Sequence, residues 1–217
     1  MIVQRVSLVK SLKTILITGF NYFDKYWFNP SGEVAKLLND YEIWGFRVKS
    51  VVLPVSLKYV KQYLPMLLND LKPLIAIGLG LAPLARECLV ELASVNRASF
   101  QKDNENYCTL YEEILPDSPF VVSTTLPIYR ILHKCRLEKG LPIKPGFGTG
   151  LFLCNAVAYI LMKYGVDNNL PSGFIHIPPS TINMLRGETQ HGVSLNEIVE
   201  CVKCVIEATI EDFNEKL

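Results

Sequence analysis

The sequence predicts an α/β fold in which a largely parallel or mixed sheet carries helices on both faces. Three observations predict it. Short apolar, β-branched runs alternate with longer stretches of helical spacing. The strand runs are apolar at successive positions rather than at every second one, as strands covered on both faces require. Gly and Pro punctuate the boundaries. With 217 residues, 49% of them hydrophobic, the chain is long enough for one full core and short for two, so residues 1–217 read as one domain.

The elements follow in order. Residues 14–18 (TILIT) make the first buried strand. Asn29-Pro30-Ser31 opens a helix to about Tyr41, with Val34, Leu37 and Leu38 on one face. Residues 46–53 are a second strand, and 57–72 a helix that Pro65 must kink or interrupt. Residues 74–79 are a third strand, ending at Gly80. Residues 96–118 are polar and irregular, with 101–106 an exposed loop. Residues 127–139 form a helix with Pro127 in its first turn and Gly140 at its end. A strand near Ile143 leads through the turn 145–150 into an apolar helix from about Leu151 to Tyr164. Residues 173–177 are a strand closed by Pro178-Pro179. Ser194 and Glu197 have capping-box spacing, and the last helix follows with apolar residues in register from Leu195 to Phe213.

Charge excludes several classes. The 22 basic and 21 acidic residues leave a net charge of +1, with no basic face for nucleic acid or an anionic membrane. No apolar run reaches the roughly 18 residues a membrane span needs. Residues 1–12 carry Gln4, Arg5 and Lys10 among apolar neighbours and read as a short N-terminal extension without the features of a signal peptide. The expected compartment is the cytoplasm. There each of the six cysteines (Cys88, Cys108, Cys135, Cys154, Cys201 and Cys204) is expected to be a free thiol. Cys201 and Cys204 form a CxxC inside the last helical pattern, away from any strand-to-helix turn. No second pair completes a metal site, so no metal is expected.

In such sheets chemistry gathers beyond the carboxyl ends of the strands, and three segments stand there. Residues 146–155 (GFGTGLFLCN) run from a glycine-rich turn into a helix carrying Cys154. A thiol in a first helical turn lies beside unpaired N–H groups, which favour the thiolate and could hold an oxyanion. Cys154 is thus either a nucleophile or a small apolar residue on an apolar helix. His176, near the end of the strand 173–177, is either a fixed base or a hydrogen-bonded core histidine. His133 and His191 lie on a helix and in a turn, as surface residues would. Glu91, set among Val90 and Leu92, either orients an imidazole from a buried position or faces solvent on an edge strand.

In order along the chain, the residues also carry Thr18-Gly19-Phe20 with Phe23, Asn29-Pro30-Ser31, Gly80-Leu81-Ala82-Pro83 followed by Glu91 and Val95-Asn96, Thr125-Leu126-Pro127-Ile128, Leu153-Cys154-Asn155, and Ser172-Gly173-Phe174-Ile175-His176-Ile177-Pro178. On these segments the chain resembles the pyroglutamyl-peptidase I (pyrrolidone-carboxylate peptidase) family from about Lys13 to the last helix. The resemblance implies an α/β/α sandwich and a cysteine peptidase that removes an N-terminal pyroglutamyl residue from peptides. It implies Cys154 as nucleophile, His176 as base, Glu91 as the group orienting that base, and Phe20 and Phe23 lining the substrate pocket. It further implies a peptide substrate with a blocked N-terminus, no metal or organic cofactor, and a homodimer or homotetramer. The chain departs from the family pattern at Tyr22, Asp24 and Lys25, where a Pro and two Gly are usual, at Leu84-Ala85, and at Leu92, where Arg is usual.

Overall fold

A computed structural model describes residues 13–216; the expected extension, residues 1–12, lies outside them. Along the chain come β1 (Lys13–Phe20), α1 (Pro30–Leu38), β2 (Glu42–Ile43), β3 (Phe46–Leu53), α2 (Leu57–Leu71), β4 (Ile75–Leu81) and β5 (Cys88–Glu91). Then follow β6 (Ala93–Val95), β7 (Ala98–Phe100), β8 (Thr109–Glu112) and β9 (Val121–Ser123). After α3 (Ile128–Ile131), which continues as a π-helix over Leu132–Glu138, come β10 (Ile143–Gly146), α4 (Leu153–Asn168), β11 (Ser172–Ile177), α5 (Thr181–Leu185) and α6 (Leu195–Glu215).

Seven strands form one sheet in the order β10-β5-β11-β4-β1-β3-β2. The pairs β1–β3, β1–β4, β4–β11 and β5–β10 are parallel, whereas β5–β11 and β2–β3 are antiparallel. Alternate side chains of β1 enter separate cores. Ile15 and Ile17 join residues of α1 and α6 on one face, and Leu16 and Phe20 join α2 and α4 on the other. The fold is therefore a mixed α/β/α sandwich, as the sequence predicts. Helix α4 is buried nearly all round, which is why its sequence is apolar on every side. None of the described helices is long and apolar enough to cross a membrane.

The structure differs from the expectations at several points. Helix α1 ends at Leu38, and Leu37 is exposed while Ala35 takes the inward position. Helix α2 runs through Pro65 without a break. The polar stretch 96–118 holds two short strands, β7 and β8. Its polar residues act as internal crosslinks: buried Asp103 accepts from the backbone N–H groups of Leu57, Glu105 and Tyr107. Asn96, also buried, accepts from those of Ile114 and Leu115. Of the expected capping box only one half forms, Ser194 Oγ accepting from Glu197 N.

The expectation of six free thiols is corrected. Cys135 in the π-helix and Cys204 in α6 form a disulfide across a sequence separation of 69, with Cα atoms 5.8 Å apart. The cause is tertiary. The 128–138 helix packs on α6 and brings the two residues face to face, which no local spacing reveals. Cys88, Cys108, Cys154 and Cys201 are free.

Candidate active site

Strands β4 and β11 run side by side toward the same end of the sheet, and α4 begins there. Phe152 precedes the helix without a side-chain cap. The first helical bonds run from Asn155 N and Ala156 N to Phe152 O. The helix itself therefore offers no acceptor to the N–H groups of Leu153 and Cys154. The thiol of Cys154 is partly exposed beside these donors and lines a cavity of about 180 Å³.

The structure brings Cys154, His176 and Glu91 together, with His176 and Glu91 hydrogen-bonded. His176 Nδ1 lies 2.7 Å from Glu91 Oε1. The Cys154 sulfur lies beside the same ring and favours its protonated form. Glu91 Oε2 accepts from Gly148 N at 2.8 Å. Both carboxylate oxygens thus have partners, as a side chain only 1% exposed requires. Glu91 is not on an edge strand: β5 lies between β10 and β11. Burial opposes protonation of His176, but the Cys154 sulfur and the Glu91 carboxylate outweigh it and raise the imidazole from 6.5 to about 9.

Two glycines make this packing possible. A Cβ on Gly80 would lie 2.7 Å from Cys154 Sγ, and one on Gly146 would lie 2.6 Å from the Glu91 carboxylate. Neither emerges from a search for reactive side chains. The available signal is glycine inside a strand, which marks close backbone approach. The edge of Phe174 meets His176 at 5.1 Å between centroids and an interplanar angle of 76°, limiting ring rotation. The other histidines are engaged elsewhere, His133 with Glu138 and His191 with Ala85 O.

Phe20 and Phe23 both line the cavity, as the resemblance implies, and so do Tyr26, Val55, Pro83 and Phe152. Phe152 packs between Phe23 (4.8 Å between centroids) and Phe100 (4.9 Å). Tyr26 and Phe152 were not among the candidate residues, although Phe152 lies two positions before the cysteine. Phe20 is fixed by its backbone N–H, which donates to Ser31 Oγ. Ser31 in turn is held by the Asn29 cap. This contact links the Thr18-Gly19-Phe20 and Asn29-Pro30-Ser31 segments. In the connecting loop Phe23 bridges Tyr26, and Asp24 turns the chain with φ +53°.

Fold and site together define an α/β/α protein with a thiol, an imidazole and a carboxylate in line beside an aromatic cavity. A family model described as pyroglutamyl peptidase matches residues 13–212, and the chain belongs to that family. It is 34% identical to the pyrrolidone-carboxylate peptidase of Pyrococcus furiosus over 205 residues, 91% of this chain and 98% of that one. It is 33% identical to that of Bacillus subtilis over 197 residues, 88% of this chain and 89% of that one. A crystal structure of the P. furiosus pyrrolidone carboxyl peptidase matches with a TM-score of 0.86 at 32% identity, covering 92% of this chain and 99% of that one.

Proposed function

We propose that this protein is a cysteine peptidase that removes an N-terminal pyroglutamyl residue from peptides, with Cys154 as nucleophile, His176 as acid–base and Glu91 orienting the imidazole. The observation that carries this reading is the Cys154 thiol set beside the hydrogen-bonded His176–Glu91 pair at the wall of an aromatic cavity. The cavity suits a flat, uncharged lactam, whose ring would lie against Phe20 and Phe23 with Phe152 beside them.

In this mechanism Cys154 reacts as a thiolate beside the imidazolium of His176. The Cys154 thiolate attacks the pyroglutamyl carbonyl carbon, and the N–H groups at the start of α4 receive the oxyanion. His176 donates its proton to the leaving amine as the C–N bond breaks, leaving a thioester on Cys154. Neutral His176 then takes a proton from water, which attacks the thioester and releases pyroglutamate. The proton stays on His176, and the thiolate–imidazolium pair is restored. Glu91 holds the ring and offsets its charge throughout.

We place this activity in the cytoplasm, because a nucleophilic cysteine needs a reducing compartment. The Cys135–Cys204 bond is buried away from reductant. Assembly as a homodimer or homotetramer belongs to the same reading, and sedimentation of the purified chain tests it.

The deciding experiment is release of a fluorogenic amine from its pyroglutamyl amide under reducing conditions, with a prolyl amide and Cys154→Ala as controls. Cleavage of the pyroglutamyl amide alone, absent in the variant, is expected. Silence on both amides from folded protein would assign the site to another acyl group and point to the Tyr22–Asp24–Lys25 loop as the cause.

A further inference from the structure

Asn155 follows Cys154 in the chain and is wholly buried. Its side-chain amide is fully engaged. Oδ1 accepts from Thr149 Oγ1 at 2.7 Å and from Val95 N at 3.1 Å, while Nδ2 donates to Val95 O and Arg97 O, each at 2.8 Å. Ser94 Oγ lies 2.7 Å from Oδ1 and 3.0 Å from the backbone oxygen of Asn155, and its single proton serves one of them. One amide therefore joins three segments. These are the first turn of α4 beside Cys154, the strand β6 that follows Glu91, and the turn whose Gly148 N–H holds Glu91 Oε2.

That turn is held at its ends by backbone bonds, Leu92 N to Gly146 O and Ser99 N to Leu151 O, and between them Thr149 is its side-chain anchor. From Phe147 to Leu151, Thr149 alone is buried; its neighbours Gly148 and Gly150 are exposed, and the Phe147 side chain faces solvent. The hydroxyl of Thr149 also lies 3.3 Å from Ser94 Oγ. The link from Thr149 to Asn155 thus sets where the Gly148 N–H points, and that N–H is the second partner of the Glu91 carboxylate.

We propose that Asn155 is a positioning residue that, through Thr149, holds Glu91 in register with His176 and Cys154. The inference rests on the reading of those three residues given above. If the link is cut, the turn drifts, Glu91 loses a donor, and the carboxylate supports the imidazolium less well. The titratable groups beside His176 are Cys154 from α4 and Glu91 from β5; its other neighbours, Phe174 in β11 and Gly80 in β4, do not titrate. A weaker hold on Glu91 therefore acts on both ionisations at once. The imidazolium gives up its proton at lower pH, and the thiolate forms only at higher pH. The bell of kcat/KM against pH narrows from both sides.

The test compares Thr149→Val, which keeps shape and removes the hydroxyl, with Thr149→Ser, which keeps the hydroxyl. Steady-state kinetics on the pyroglutamyl amide across pH are measured beside thermal unfolding. The expected result for Thr149→Val is a fall in kcat of roughly tenfold or more, the scale of a small misplacement of reacting groups. KM stays within about twofold, since the cavity is untouched, and the bell narrows; Thr149→Ser recovers both rate and profile. Adding Thr149→Val to Asn155→Ala is expected to cost nothing further, because the two act through one link. A Thr149→Val that only lowers Tm while kcat and profile stay as in the parent overturns the proposal, as does a Thr149→Ser no better than Val. Alkylation of Cys154 by iodoacetamide, followed across pH by mass spectrometry, needs no substrate. If the parent fails to cleave the amide, the functional reading fails. A shift of the alkylation profile to higher pH in Thr149→Val would still support the positioning role, and an unshifted profile would overturn it.

Discussion

Cys154 at the start of α4 and Cys204 in the middle of α6 lie in long helices on opposite faces of one sheet, yet their surroundings differ throughout. Cys154 is partly exposed, lies beside helix N–H groups that the helix leaves without acceptors, touches an imidazole and lines a cavity. Cys204 is 1% exposed, packed among apolar residues and bonded to Cys135. Placement along a helix, access to solvent and the nearest titratable group decide what a thiol can do; residue type does not. The CxxC spacing of Cys201 and Cys204 carries no chemistry of its own here, because Cys204 is paired across the fold and Cys201 lies against Pro142 O.

The sharpest way to break this comparison is to exchange the losses. Cys154→Ala is expected to reduce turnover by roughly 10⁴-fold or more, the scale of removing a nucleophile, with Tm nearly unchanged. The double variant Cys135→Ala/Cys204→Ala is expected to do the reverse. It loses about 2–4 kcal/mol of stability, typical for a crosslink that closes a long loop, and keeps the kcat of the parent at temperatures where it is folded. Turnover and denaturant unfolding of both proteins check this. A stable, inactive disulfide variant would show that α6 reaches the site.

Glu91→Gln comes next in size. It keeps the shape of the side chain and removes the charge that supports the imidazolium, so kcat should fall by roughly 10²- to 10⁴-fold. An unchanged rate would remove Glu91 from the mechanism. A smaller effect appears without mutation. His176 is raised to about 9, so its proton is present through neutral pH and is lost above that value. The rate should therefore hold through neutral pH and fall about tenfold per unit beyond about 9. The sign for stability is the same. A raised imidazole contributes fully below its ordinary value of 6.5, and the contribution fades as pH climbs to about 9. A rate that keeps rising above pH 10 would argue for a neutral resting pair.

Much of this was legible in the sequence, for identifiable reasons. Strands β1, β4 and β11 are buried over most of their length and read as mostly apolar runs. Cys154, His176 and Glu91 stood out by their places at strand ends and a helix start, but each also had an ordinary structural reading, and it was the resemblance of the surrounding segments that chose between them. What stayed hidden depends on contacts between distant segments. The Cys135–Cys204 bond needs two helices to meet. Asn155 resembles any polar residue early in a helix until β6 and the Thr149 turn close on it. The strands β6 to β9, of three or four residues each, are too short for a period of two to emerge.

The smallest expected effect lies in the 22–25 loop, where the chain departs from the family pattern, and it measures how far that departure is only local. Asp24 sits at φ +53°, so the backbone still adopts the left-handed turn that glycine usually serves. Aspartate tolerates this region better than most side chains but at some cost. Glycine removes that cost and adds freedom to the unfolded chain, which offsets part of the gain. Asp24→Gly should therefore stabilise by no more than about 0.5 kcal/mol, a rise in Tm of roughly 1–2 °C for a chain of this size. The Asp24 side chain is exposed, while Phe20 before the loop and Phe23 within it line the cavity. KM for a pyroglutamyl amide should thus stay within about twofold. A fall in Tm would show that the aspartate side chain itself holds the loop. A large change in KM would show that the departure from the family pattern reaches into the pocket.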